Sequence, residues 1–223
     1  MSAERTGEQG WHGFAIEGDL HSCWLCQRPV AAQGLRCENC GALQPVRDLN
    51  NFAILGLNER FDLDQDDLDR HFALARRNLD PERLGIKNPR VGALAQRYSV
   101  LMATAYEVLR DPVSRARYLL ELLDAKALAR GDEPVGLPVD ATNNLDRENL
   151  AVALAEATDC QTVDRIGARA MREIEPCIHS LSTAFRAGRI GEARLALAHI
   201  ARLEQLTATA RRRRLELCPP PAQ

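Results

Sequence analysis

The chain has 223 residues, a formal net charge of −2, 45% hydrophobic, 27% charged and 4% aromatic residues. A near-neutral balance gives no bulk electrostatic pull toward nucleic acid or an anionic membrane, and no apolar run approaches the roughly 20 residues that span a bilayer. Abundant Leu and Ala with few aromatics favour helix over sheet, and the length allows a sizeable core or two to three small domains. Of the seven cysteines, four cluster and three are scattered. That distribution suits a reducing compartment and a metal site, not a disulfide framework.

Residues 1–20 are polar and read as a loose tail, with Trp11 and Phe14 able to fold back onto the next module. Glu4 and Glu8 and the lack of an apolar core make them neither a secretory signal nor a mitochondrial presequence. Next come two C-x-x-C pairs, Cys23 with Cys26 and Cys37 with Cys40. Each pair lets two thiolates reach one ion from a tight turn, and two such knuckles complete a closed, structural four-thiolate site. Zn²⁺ is the expected ion; iron in a rubredoxin-like site is the alternative, since tetrathiolate geometry suits both. Gly34 and Gly41 fit the turns, and His21 reads as a bystander. A segment this short builds no core of its own, so metal binding should supply its folding energy. Arg28 and Arg36 alone form no basic cluster, which argues against a nucleic-acid-binding knuckle.

Phe52, Ile54, Leu55 and Leu57 mark a short helix within 48–57, closed at Gly56. The helix predicted over 64–79 has Asp64 as N-cap, Asp66 and Asp67 in its first turn, and an apolar stripe of Leu68, Phe72, Ala75 and Leu79. Arg70, Arg76 and Arg77 make it basic toward its end. Pro81 stops it, and Asp80-Pro81-Glu82 is turn chemistry. Asn88-Pro89 opens a second helix through Leu94, Tyr98, Leu101, Ala105 and Leu109. Matched stripes predict an antiparallel hairpin with an exposed turn. After Asp111-Pro112 a helix over 111–124 carries Tyr118, Leu119, Leu120, Leu122 and Leu123. Gly131, Pro134, Gly136 and Pro138 make 125–145 a linker.

Three amphipathic helices follow. The first runs from Asp146 to Thr158 with Leu150 and Leu154 on one face; the second from Thr162 to Arg186 with Ile166, Ile174, Ile178, Leu181 and Phe185, and with Pro176 as a candidate kink. The third follows Gly188 and Gly191 and runs to Arg213 with Ala193, Leu197, Ile200, Leu203 and Leu206. Three such helices predict an antiparallel bundle. Arg211 to Arg214 read as a solvated basic helix end, and Cys160 and Cys177 as small apolar packing groups.

Tyr106, Leu109, Pro112, Arg115, Tyr118, Leu119, Leu120 and Leu122 lie in "AYEVLRDPVSRARYLLEL". That segment resembles the J-domain co-chaperones of iron–sulfur cluster assembly, the HscB type. "NFAILGL" looks like their opening helix and "CENCGALQPVRDLNNF" like their junction with an N-terminal two-pair cysteine module. The resemblance implies a mainly α fold: a small zinc-knuckle module, a J-domain helical hairpin and a C-terminal three-helix bundle. The corresponding boundaries are a tail at 1–20, the zinc module at 21–45, the J-domain at 46–124, a linker at 125–145, the bundle at 146–215 and a tail at 216–223. It places the chaperone-triggering tip on Asp80, Pro81 and Glu82, where the family carries His-Pro-Asp. It also gives the chaperone-binding surface to Arg70, Arg76 and Arg77, and the scaffold-binding patch to Leu150 and Leu154.

His12, His21, His71, His179 and His199 are scattered, and neither a glycine-rich phosphate loop nor a serine elbow occurs, so an adaptor is expected, not an enzyme. The resemblance implies a co-chaperone with structural Zn²⁺ that binds an IscU-type scaffold and delivers it to a DnaK/HscA-type chaperone, stimulating its ATPase. The competing expectation is a zinc-dependent tether whose altered tip no longer stimulates. Neither nucleic acid nor membrane is an expected partner. The expected compartment is a bacterial cytoplasm, ahead of a mitochondrial matrix.

Overall fold

The computed structural model describes residues 20–31, 34–45, 49–79, 89–136 and 145–219, with side chains from 149 onward in the last stretch. Trp11, Phe14 and the Asp80-Pro81-Glu82 turn lie outside the described residues. The described residues form two compact units: one from the cysteine module through Arg110 without 60–62, the other Arg60–Asp62 with Asp111 onward.

The first unit opens with an antiparallel ribbon, β1 (Leu20–Ser22) and β2 (Pro29–Ala31), in which Leu20 faces Ala31. A bridge between Arg36 and Leu43 closes the second knuckle. Helix α1 (Asn51–Ile54) is capped by Asn50, whose Oδ1 accepts from Ala53 N at 2.8 Å. Helix α2 (Gln65–Asn78) starts where its carboxylates place it: Asp64 Oδ1 accepts from Asp67 N at 2.9 Å. Helix α3 (Pro89–Arg110) begins at the proline expected to open it, and it packs against α1 and α2.

The stripe of α3 is shifted by one residue at two of its five positions. Ala95 and Met102 are buried in place of Leu94 and Leu101, which are only half-buried. The buried set Ala95, Tyr98, Met102, Ala105 and Leu109 alternates spacings of three and four, the seam of two closely packed helices. Small Ala95 and flexible Met102 fit that seam, while the two leucines flank it.

The second unit is mainly helical. Helix α4 (Pro112–Arg130) is capped by Asp111, whose Oδ2 accepts from Ser114 N at 2.7 Å, and it ends on Gly131 at φ 80°. It therefore runs to Arg130 instead of stopping at Asp124. Helices α5 (Leu145–Glu156), α6 (Cys160–Arg186) and α7 (Ile190–Leu217) follow. The α6–α7 pair forms the bulk of this unit, α5 packs on α6, and α4 packs on both α6 and α7. Val113, Ala116, Leu119 and Leu120 are the buried apolar side chains of α4. Gly167 lets α6 approach α7 closely: a Cβ there would lie 3.2 Å from Ala210 Cβ.

Two features of this unit were not expected from sequence. Cys160 is disulfide-bonded to Cys218, with Cα atoms 6.5 Å apart, and does not pack as an apolar group. The antiparallel run of α6 and α7 brings the start of one beside the end of the other. Only Cys177 behaves as predicted, buried with its Sγ donating to Glu173 O at 3.1 Å and 3.4 Å from His199 Nδ1. The second feature is the strap Arg60–Asp62. Phe61 stacks on Phe185 at 5.1 Å between centroids, and the buried Arg115 guanidinium lies 5.2 Å over the Phe61 ring. Asp62 accepts from Ser182 Oγ at 2.7 Å and Arg186 Nε at 2.5 Å.

Candidate metal centre and interaction surfaces

The two knuckles share one backbone design. Cys23 O accepts from Gln27 N at 3.0 Å and Cys23 N donates to Arg28 O at 2.8 Å. Cys37 O accepts from Gly41 N at 2.8 Å and Cys37 N donates to Ala42 O at 2.9 Å. The residue four after the first cysteine is left-handed in both: Gln27 at φ 59° and Gly41 at φ 71°. Such a turn points both sulfurs of a pair to one side, and the two pairs converge.

All four Sγ atoms lie within 4.8 Å of one another. Cys23 Sγ is 3.7 Å from Cys40 Sγ, and Cys26 Sγ is 3.6 Å from Cys37 Sγ. A tetrahedral ion with bonds of about 2.3 Å to sulfur needs sulfurs about 3.8 Å apart, so the donor set fits a four-thiolate metal site. Donors surround the sulfurs. Leu25 N and Gln44 Nε2 each lie 3.4 Å from Cys23 Sγ, and Asn39 Nδ2 lies 3.6 Å from Cys26 Sγ.

Burial raises the Cys23 thiol, but the amides of Cys26 and Leu25 and the Gln44 side chain outweigh it and bring it down to about 6. At Cys40 the Ala42 amide pulls down, while burial and the three neighbouring sulfurs push the thiol up to about 12. Four thiolates in this space repel each other, and a divalent cation at their centre is what lets all four ionise together. Bound there, the ion supplies cross-linking with no open coordination position.

Gln44 was not picked out from sequence. Its side chain is 1% exposed and bonds both Cys23 Sγ and Ala42 O, the latter at 2.7 Å. Its backbone O accepts from Tyr98 OH at 3.2 Å, which joins the metal module to α3. Burial pushes that phenol up to about 12. Trp24 Nε1 donates to Leu43 O at 2.5 Å, the Arg90 guanidinium lies 4.5 Å over the indole, and Arg36 donates to Asn78 O at the end of α2. A residue without a motif signature gives no sequence signal for such a role.

The three arginines of α2 do not act alike. Arg70 and Arg77, seven residues apart, share one face of the helix. Arg70 is 72% exposed and pairs with Asp67 at 2.9 Å, and Arg77 is exposed. Arg76 turns instead onto the Phe72 ring at 5.8 Å, and Phe72 stacks on Tyr106 at 4.3 Å. Tyr106 OH donates to Asp69 Oδ1 at 2.8 Å.

Leu150 and Leu154 are in the core. They are 7% and 2% exposed, packed with Ala157, Val163, Ile166, Ala210 and Leu206. The expected apolar patch on this helix is thus inverted: the leucines hold α5 down, and Val152, 54% exposed, is on the open side with Ala151, Ala153 and Ala155. Arg213 is also not merely solvated. It reaches back to the C-terminal end of α5, donating through Nη2 to Ala155 O at 2.7 Å and Ala157 O at 2.9 Å, and through Nε to Ala157 O at 3.3 Å. Arg214 pairs with Asp164 at 2.7 Å. No helix among the described residues is long and apolar enough to cross a membrane.

No protein-family model matches the chain. A Bordetella petrii protein named as a co-chaperone HscB homolog is 36% identical over 72 residues, 32% of this chain and 42% of that protein. The chain thus spans under half the length of that relative. The human protein named as iron–sulfur cluster co-chaperone HscB is 25% identical over 169 residues, 73% of this chain and 66% of the human one. The crystal structure of human co-chaperone protein HscB superposes with a TM-score of 0.67 at 21% identity, over 88% of this chain and 100% of that one; this likeness is one of fold. In sequence over part of its length and in fold over most of it, the chain resembles the HscB-type co-chaperones of iron–sulfur cluster assembly.

Proposed function

We propose that the chain is a co-chaperone of iron–sulfur cluster assembly that carries an IscU-type scaffold to a DnaK/HscA-type chaperone and stimulates its ATPase. The observation that carries this reading is the α2–α3 hairpin. It presents the exposed Arg70 and Arg77 on one face of the helix that leads into Asp80-Pro81-Glu82, in a chain similar to proteins named as co-chaperones. A basic helix face suits docking to an acidic chaperone surface. The 21–45 module holds Zn²⁺ as a structural ion through Cys23, Cys26, Cys37 and Cys40. The 46–124 segment addresses the chaperone, and the 146–215 helices address the scaffold. With Leu150 and Leu154 in the core, Val152 is an exposed apolar side chain that α5 offers a partner. The protein acts as an adaptor, not an enzyme. The matching compartment is a bacterial cytoplasm, as several matched relatives are bacterial.

A second reading, a tether that binds its client without stimulating the ATPase, draws on Asp80. An imidazole donates and accepts hydrogen bonds, whereas an aspartate only accepts, and the family's tip carries the imidazole. Single-turnover ATP hydrolysis by the cognate chaperone separates the two. Stimulation that is lost in Pro81→Ala supports the co-chaperone. Stimulation that appears only in Asp80→His supports the tether. Silence from both forms overturns the chaperone assignment.

A further inference from the structure

The four-sulfur site is not closed evenly. The first cysteine of each knuckle is sealed: Cys23 is 0% and Cys37 1% exposed. The second is not, since Cys26 is half-buried and Cys40 is exposed. Cys26 is screened by the Asn39 amide at 3.6 Å, and Cys23 is held by Leu25 N and Gln44 Nε2. Cys40 ends a run of exposed residues, Glu38 and Asn39, and continues into exposed Gly41, where a Cβ would meet no atom within 4 Å. Cys40 is therefore the most exposed residue of the four.

We propose that Cys40 is a modification site through which the metal module responds to small-molecule disulfides. With a metal bound all four sulfurs are thiolates, so access decides which one exchanges first, and residue exposure singles out Cys40. Cys40 Sγ attacks one sulfur of the reagent and forms a new S–S bond. The other reagent sulfur leaves as a thiolate and takes a proton from water. Cys40 is oxidised and the reagent disulfide is reduced. The mixed disulfide no longer offers a thiolate, so three sulfurs remain and the metal is released. With it goes the anchor that holds Gln44 against Cys23 and, through Gln44, Tyr98. This inference stands apart from the co-chaperone reading, because it rests only on the geometry of the metal module.

The test uses the metal-loaded full chain and 5,5′-dithiobis(2-nitrobenzoate), quenched with acid at intervals. Peptide mass mapping reads which cysteine is labelled, and a chelating dye reads metal release. Cys40 should be labelled first, about tenfold ahead of Cys23 and Cys37, with dye signal rising in step. Cys40→Ser should abolish the fast phase. Labelling that begins at Cys23, Cys26 or Cys37, or metal release that precedes Cys40 labelling, overturns the proposal. The mapping on the unsubstituted protein decides the matter even where Cys40→Ser holds metal too weakly to assay.

Discussion

Gly41→Ala and Gln27→Gly are mirror-image perturbations of the turn geometry that the two knuckles share, and their signs should be opposite. Both positions are left-handed, at φ 71° and φ 59°. An L residue with a Cβ loses about 1–2 kcal/mol in that region. At Gly41 a Cβ would meet no atom within 4 Å, so backbone conformation is the whole native-state cost. Restricting the unfolded chain returns about 0.4–1 kcal/mol. The net cost is about 1 kcal/mol, or about fivefold in an equilibrium constant. Where metal binding supplies the folding energy of so short a module, the cost should be read as metal affinity. In a chelator-competition titration, Gly41→Ala should bind Zn²⁺ about fivefold more weakly, and Gln27→Gly about two- to fivefold more tightly. If both variants weaken binding, or neither changes it, the two-knuckle geometry or its coupling to the metal is wrong.

Leu154→Ala should cost about 2–5 kcal/mol in denaturant unfolding, since the leucine is 2% exposed and its removal leaves a cavity under α5. Val152→Ala, on the open side, should stay within about 0.5 kcal/mol, and equal costs would refute the orientation of α5. Arg213→Ala removes the hydrogen bonds to Ala155 O and Ala157 O and should cost about 1–3 kcal/mol. Arg213→Lys should recover only part of it, because one ammonium nitrogen cannot replace the separate Nε and Nη2 donors of the planar guanidinium, and full recovery would argue for charge alone. At Asp62 burial raises the carboxyl, but hydrogen bonds from Arg186 and Ser182 and the charges of Arg186 and Arg115 outweigh it and hold it below its ordinary value. A carboxyl lowered by folding stabilises above its unfolded value and loses that contribution as pH falls through the folded one. The Tm gap between the unsubstituted chain and Asp62→Asn should be full near about pH 6 and close toward about pH 2. The side chain is 38% exposed, so the gap should correspond to no more than about 1 kcal/mol. A gap that widens in acid would reverse the assignment.

What the sequence determined by itself is local. The helix starts at Asp64, Pro89 and Asp111 are legible because a cap or a proline acts within one turn of its own position. The cysteine pairs are legible for the same reason, since two residues of spacing bring two sulfurs to one ion. The tertiary structure decided which side of each amphipathic segment faces inward. Leu150 and Leu154 carry the same pattern whether they form a core or a binding patch, and only the arrival of Ile166 and Ala210 made them core. Leu94 and Leu101 yielded to Ala95 and Met102 because seam geometry, not hydrophobicity, selects the residues between packed helices. Gln44 at Cys23, Arg213 at the end of α5 and Cys160 with Cys218 join positions 21, 56 and 58 residues apart. No local rule reaches that far, because such contacts depend on how whole helices pair.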